Sequence, residues 1–387
     1  MHFFKEHFHL LNIPPILPIT IAFILGIIWQ AIIPSITTTL LFMLSFFIMC
    51  CSYNKNKKFY GLQYYAAYCL VAAGGAYLYE KNITDYDSFY QFTHNCSVEI
   101  TGTVIDKSKN SQGYTQSTVI ALAIHSVTNA TNTKKYNKTI IIHSSTATDA
   151  LCVGDTVTFF NVKCKKTDNV SFNNYQIKEQ IAATVFHQQL VYTIIHHPSW
   201  SLRRWIFDQK QTILTNLKQK LSPPCFIFFA SLFLGDRVCI KKSIEKINEQ
   251  FKRWGVYHLL SRSGMHLALF IFSWQIALSM IPLPFFIKQL IMLSLSFIYC
   301  IFSWTSAPFI RSLTLFTLNR TCLITKTPYH LLHYLTLTCL CFLLYCPLYL
   351  FFLDFQLSFG LTFALAWLNQ LYGQHLYEEQ QPKLLNY

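Results

Sequence analysis

The sequence predicts a polytopic α-helical membrane protein with an inserted all-β domain on the extracytoplasmic side. Three observations carry this: several long apolar runs, one polar stretch of short β-branched runs between them, and a low charge content. Of 387 residues, 52% are hydrophobic, 16% aromatic and only 12% charged. A soluble domain carries about 25% charged residues.

A helix needs about 20 apolar residues to cross roughly 30 Å of hydrocarbon. Runs approaching that length place spans at 16–33, 37–51, 62–79, 256–280, 285–303, 331–352 and 355–372. The first is read as a span and not a secretory signal, because it is long for a signal core, lacks an A-x-A-like end and is followed at once by a second span. Lys55, Lys57 and Lys58 in "YNKNKKF" join the second and third spans, and basic loops stay cytoplasmic. The third span therefore exits, leaving the following section outside. Four regions result: N-terminal helices over 1–83, an extracytoplasmic β domain over 84–198, an amphipathic region over 199–255, and a membrane core over 256–387.

The outer section holds "SVEITGTVI", "STVIALAIHSV", "KTIIIHSS", "DTVTFFNVK" and "IAATVFHQ", separated by Gly, Asn, Thr, Ser and Lys turns. Five short strands in about 100 residues fit a small closed barrel, and a five-stranded Greek-key barrel of the OB type is the economical form. Barrels that hold single-stranded nucleic acid use a basic groove with stacking aromatics. Residues 84–198 hold nine Lys/Arg against eight acids, so a folded spacer or gate stands beside a nucleic-acid contact as a reading.

The net charge of +14 is concentrated in the C-terminal half, where residues 199–387 hold seventeen Lys/Arg against seven acids. That half attracts polyanions. "WSLRRWIFDQKQTILTNLKQKL" places Leu202, Ile206, Ile213 and Leu217 at helical spacing, with Arg203, Arg204, Lys210, Lys218 and Lys220 mostly off the stripe. "IKKSIEKINEQFKRW" repeats the pattern with Ile240, Ile244, Ile247, Phe251 and Trp254, against Lys241, Lys242, Lys246, Lys252 and Arg253. Both read as helices lying along an interface with basic faces in water. They serve either as anchors to lipid headgroups or as a basic outer collar that gathers a polyanion. Between them, "PPCFIFFASLFLGDR" is too short to cross and ends in a Gly235–Asp236–Arg237 turn; such turns at membrane depth are buried in protein or line water.

Thirteen cysteines form no CxxC pair and no Cys/His array of zinc spacing, so no metal or other cofactor is expected. Nine lie in or beside apolar segments, where cysteine packs as a small hydrophobe. Cys96, Cys152 and Cys164 in the outer section are disulfide candidates, and Cys239 has no assigned role.

The most informative stretch is "GVYHLLSRSGMHLALF". His258, Arg262 and His266 recur every four residues, within about 80° on a continuous helix. Ser261 falls beside them, whereas Leu259, Leu260, Leu267 and Phe270 take the opposite side. Gly264 either leaves this helix intact or breaks it and gathers the polar groups at an unwound joint. A metal site would want carboxylate or Cys partners and a motif such as HExxH, neither of which is present. A Ser/His hydrolase built on Ser263 would lack the GxSxG elbow. Interhelical hydrogen bonds would satisfy the same groups. A hydrated anion path needs spaced donors and positive charge without tight chelation, and these residues supply both. "SWTSAPFIRSLTLF" places Pro308 and Arg311 in an apolar region, so a broken helix is expected to aim Arg311 inward. In "FLDFQLSFGLTFALAW", Asp354 and Gln356 open the final span, where Asp354 caps the helix or pairs with an arginine.

Taken in order, "LFLGDR", "FKRWGVYHLLSRSGMHLALF", "SAPFIRSL" and "LDFQLSFGL" resemble the ComEC family of competence proteins, and "LCVGDTVTF" with "SFNNYQ…IAATV" is similar to the OB-fold portion that precedes the family's membrane core. The resemblance implies a bacterial inner-membrane channel that passes one strand of incoming DNA to the cytoplasm in natural transformation. It places His258, Ser263, Gly264 and His266 in the central motif, Asp236 and Arg237 in the GDR turn, Arg311 in the proline-arginine segment, and Asp354 with Gln356 in the last motif. Arg262 joins the path from spacing alone, because many relatives carry an apolar residue there. Long family members continue into a metallo-β-lactamase-like domain with an HxHxDH motif. This chain resembles a short form without it, and "HFH" at His7–His9 is no substitute.

The expected partners are therefore single-stranded DNA, membrane lipid, a separate nuclease, a DNA receptor and a cytoplasmic ATP-driven motor, since no GxxxxGK[ST] motif occurs. No enzymatic activity is expected of the chain itself. The alternatives are a channel or transporter for a small anion or lipid precursor, an enzyme at the membrane interface, and a truncated member that does not transport.

Overall fold

Helices take up apolar runs predicted as spans, and strands take up the β-branched runs between them. The computed structural model describes residues 14–33, 60–93, 96–112, 115–129, 132–144, 150–187, 191–230, 253, 264–303 and 306–384. The expected span at 37–51 lies outside the described residues. The chain divides into two compact units: Met1–Asn82 with Met280–Leu293 and Ala307–Tyr387, and Ile83–Ser279 with Ser294–Ser306.

The first unit is helical. Helix α1 (Ile16–Ile32) is followed by α2 (Tyr60–Thr93), whose first part belongs here. After the sheet and the intervening helices, the chain returns in the first half of α7 (Phe285–Phe302), α8 (Ala307–Thr325), α9 (Leu331–Tyr345), a 3-10 turn (Pro347–Phe351) and α10 (Leu353–Leu384). The run 331–352 was expected as one span, but it breaks at Cys346. Pro347 has no N–H for an i−4 bond and its ring crowds the preceding turn. Pro308 is the second residue of α8, where the missing N–H has no intrahelical use.

Side chains four apart build the core of this unit. Phe23 and Ile27 of α1 meet Leu335, Cys339 and Leu343 of α9, and Phe355 and Phe359 of α10. α1 and α2 approach backbone to backbone. A Cβ on Gly26 would collide with the Ala72 carbonyl, and one on Gly75 would lie 2.5 Å from the Phe23 carbonyl oxygen. Small residues at such crossings let helix backbones approach closely and gain dispersion contact.

The outer surface of these helices is apolar. On α10, Leu357, Leu361, Leu365 and Leu368 recur at helical spacing and are each about 60% exposed. A continuous stripe of this kind is an interaction surface. Among the described residues, α7 is long and apolar enough to cross a membrane, while α1, α6 (Gly264–Ser279) and α9 are shorter apolar helices.

The second unit is built on a mixed sheet. Strands β1 (Val98–Gln112), β2 (Thr115–Thr128), β4 (Thr139–Ser144), β5 (Thr156–Val162) and β6 (Ile181–His187) fall on the five expected runs. Two more were not expected: β3 (Thr133–Lys135), which pairs only with β2, and β7 (Val191–His196). Helix α3 (Val170–Lys178) was also missed; Asn169 caps it by accepting the Phe172 N–H at 3.1 Å.

The order β6-β4-β2-β1-β5-β7 is antiparallel except for the parallel pair β4–β6. Laid flat, that row would hold β6 and β7 five spacings apart, about 24 Å. His187 and Val191 are four peptide steps apart in the chain, which reach at most about 15 Å. The sheet is therefore strongly curled, yet the described pairings do not close it into a barrel. Ile100, Ile120, Leu122, Ile140, Ile142, Val157 and Phe159 on its strands are fully buried.

Tyr86, Phe89 and Tyr90 on the last turns of α2 complete this core, extending the helix well past the expected end at residue 79. Tyr86 donates to Gln176 Oε1 at 2.5 Å, and the Phe89 ring packs edge-on to Tyr136 at 5.2 Å. Burial pushes the Tyr90 hydroxyl well above its ordinary value.

Gly26→Ala is expected to destabilise the helical unit by about 1–3 kcal/mol, the usual cost of overpacking. Thermal unfolding of the detergent-solubilised chain checks this, with Gly74→Ala as the control because a Cβ there meets nothing within 4 Å.

Candidate functional site

The α8–α10 interface places a cation in an apolar setting. Arg311, one turn into α8, donates from Nη1 to Thr362 Oγ1 on α10, and its guanidinium lies 5.7 Å from the Phe359 ring centroid. Thr362 can accept because its own hydroxyl proton is used at 2.7 Å on the Ser358 carbonyl. Arg311 Nε and Ser358 Oγ are buried and without hydrogen-bond partners. An unmet buried donor costs about 1–3 kcal/mol.

Sequence reasoning missed a second arginine, Arg320, although it too is a charge within an apolar helix. It donates from Nη1 to Gln289 Oε1 at 3.0 Å and lies 4.9 Å from the Phe316 ring centroid, with Nε buried and unmet. Nine residues make about two and a half turns, so Arg311 and Arg320 leave α8 on opposite sides. Among the described residues neither forms an ion pair.

Asp354, expected to cap a helix or pair with an arginine, opens α10. It lies in the first turn of α10, where a negative charge is favourable to the helix dipole. Gln356 donates to the Leu350 carbonyl at 2.8 Å and ties α10 to the preceding 3-10 turn. Gly264 opens α6 and His266 is buried there, in the second unit. His258, Ser261, Arg262, Ser263, Asp236 and Arg237 lie outside the described residues, as do Lys241, Lys242, Lys246 and Lys252.

In the second unit, α4 (Leu202–Lys220) carries the first half of the expected collar. Arg203, Lys218 and Lys220 are exposed, Lys210 is half-exposed, and Arg253 beyond α4 is exposed. Arg204 departs from the collar. It points to Asp155, a fully buried carboxylate, with Nη2 2.5 Å from Oδ1 and Nε donating to the Val153 carbonyl at 3.1 Å. His197 Nδ1 lies 2.8 Å from the same oxygen, and the Cys152 N–H donates to Oδ2 at 2.8 Å.

Every oxygen of Asp155 is thus satisfied, and α4 is pinned to the loop before β5. Gly154 permits the close passage. Its φ is +94°, and a Cβ there would lie 2.7 Å from Ser201 Oγ. The packed face of α4 is Leu214 with Leu217 and Leu221 against Phe226 of α5 (Pro223–Phe229) and Ala230. The expected stripe is rotated: Leu202 and Ile213 are exposed.

Cys96, Cys152 and Cys164 are free thiols. Cys164 is buried, which pushes its thiol up to about 12. Among the described residues no group of three His, Cys, Asp or Glu side chains is placed to hold a metal ion.

Residues 232–386 match a family model described as Competence protein. That match supports a competence-type protein, and it spans less than half of the chain. No curated protein and no solved structure matches. Arg311, Arg320, Asp354, Gln356, Gly264 and His266 all fall within the matched segment, whereas the sheet and α4 precede it.

Removal of the Arg204 side chain alone would strand a buried carboxylate, at a cost of about 3–5 kcal/mol. In a double-mutant cycle, Asp155→Ala with Arg204→Ala is expected to cost clearly less than the sum of the single changes. Urea unfolding of the detergent-solubilised chain checks the coupling.

Proposed function

We propose that the chain is an inner-membrane conduit for single-stranded DNA in natural transformation, with its sheet an OB-like domain on the outer side. Arg311 carries the reading. A guanidinium between two apolar helices, hydrogen-bonded to a hydroxyl and to no carboxylate, keeps its positive charge available to a passing anion. It does so inside the segment that matches the competence family. Transport needs binding weak enough to release, and separated cations touching successive phosphates meet that need.

The membrane setting is supported by α7 and by the exposed leucine stripe on α10. In lipid such a stripe costs nothing, whereas in water it would be a large unprotected patch. The exposed cations Arg203, Lys218 and Lys220 fit a collar at the outer surface. In the OB-like reading, β1, β2, β4, β5 and β6 are the barrel strands, and the strong curl required by β6 and β7 is consistent with it. The chain supplies no bond-making chemistry of its own in this proposal, and strand degradation and pulling fall to a separate nuclease and an ATP-driven motor.

Arg311→Ala is expected to lower transformation frequency at least tenfold, or about 1.4 kcal/mol in whichever step limits uptake, with the amount of membrane-inserted protein unchanged. Arg311→Lys should fall between, because lysine keeps the charge and loses the fork. Unchanged transformation in both variants would remove Arg311 from the path. A small-anion transporter uses the same cation, so flux of single-stranded DNA and of small anions in proteoliposomes separates the two. DNA flux supports the proposal, and anion flux alone replaces it.

A further inference from the structure

We infer that the N-terminal half of α4, with Trp200 before it, is a lipid-interface anchor that seats the second unit on the bilayer surface. At about 100° per residue, Leu202, Trp205 and Ile213 fall within roughly 80° of one another around α4. They are 54%, 50% and 39% exposed, and Trp200 is 71% exposed. Arg204 leaves the helix on nearly the opposite side, where Asp155 and the Val153 carbonyl hold it. Leu214 and Leu217 pack on Phe226 along the flank between. The clamp therefore turns the Trp205 side away from the protein.

The occupant is a lipid headgroup region carrying negative charge. Residues 199–220 hold five Lys/Arg against one acid, and Asp155 takes only Arg204 out of that set. Arg203, Lys218 and Lys220 stay exposed. Among the described residues neither Trp200 nor Trp205 has a hydrogen-bond partner for its indole N–H. An exposed indole with an unmet N–H suits the boundary between acyl chains and headgroups. Gln209 and Asn216 fall within the same arc as Trp205 and Ile213, so α4 lies shallow and does not plunge. The same unit carries α6, whose Leu269, Phe272 and Ile276 are each at least half exposed, and continues into α7, which is long enough to cross. Apolar surface of this kind fits a nearby bilayer. A basic helix with an apolar strip binds such a surface through both terms.

The test uses the full chain in nanodiscs of mixed zwitterionic and anionic phospholipid. The emission of the parent minus that of Trp205→Phe gives the Trp205 component, and Trp200→Phe gives the other. Both components are expected to lose most of their intensity in lipid brominated near the headgroup end of the chains, and little with aqueous iodide. Quenching by iodide and not by brominated lipid places the stripe in water and overturns the inference. Quenching by neither means that protein covers the stripe, and overturns it equally. The outcome is independent of whether DNA passes, so it can fail while the conduit stands.

Discussion

Removal of a charge from water must be answered by partners, and Asp155 and Arg311 are answered in opposite ways. Asp155 is fully buried and fully answered, by a guanidinium, an imidazole and a backbone N–H. Arg311 is answered by a threonine hydroxyl and an aromatic face, with one donor left unmet. A closed network of the first kind fixes geometry. An open one leaves interaction energy for something that is not part of the fold. The buried carboxylate of the second unit is thus fully satisfied, whereas the buried guanidinium of the first is not.

Glycine and proline set the frame for both arrangements. Gly26 and Gly75 let α1 and α2 touch backbone to backbone, which anchors the bundle on which α9 and α10 pack. Pro347 stops α9, so the chain can turn and begin α10 with Asp354 in its first turn. Gln356 then holds that turn to Leu350, and six residues later Thr362 stands opposite Arg311. In the sheet unit Gly154 lets Ser201 approach, which brings Arg204 within reach of Asp155.

Much of this was legible in the sequence where the signal is local. The five alternating runs became β1, β2, β4, β5 and β6, and the apolar runs at 16–33, 285–303 and 355–372 became helices, because period and length are carried by neighbouring residues. The end of α2 and α3 were not legible, since their buried faces are made of Tyr86, Tyr90 and Gln176, which count as polar in a periodicity reading. Arg311 could be singled out as a charge among apolar residues, but its partner Thr362 lies 51 positions away. Arg204 was assigned with its basic neighbours because the carboxylate that claims it is 49 positions upstream. A pairing over such a distance leaves no trace in spacing.

The position of Arg320 limits what α8 can line. It stands about half a turn around from Arg311, and its partner Gln289 is 7% exposed and belongs to α7. Each guanidinium donates one Nη1 bond and leaves its Nε unmet, and the bond to Gln289 joins Arg320 on α8 to α7. A path that used both arginines would have to run on both sides of one helix. Each arginine leaves its Nε unmet, and on the α10 side Ser358 Oγ is bare as well. In the proposed conduit Arg311 would therefore serve on the α8–α10 side, with Arg320 on the opposite side of α8.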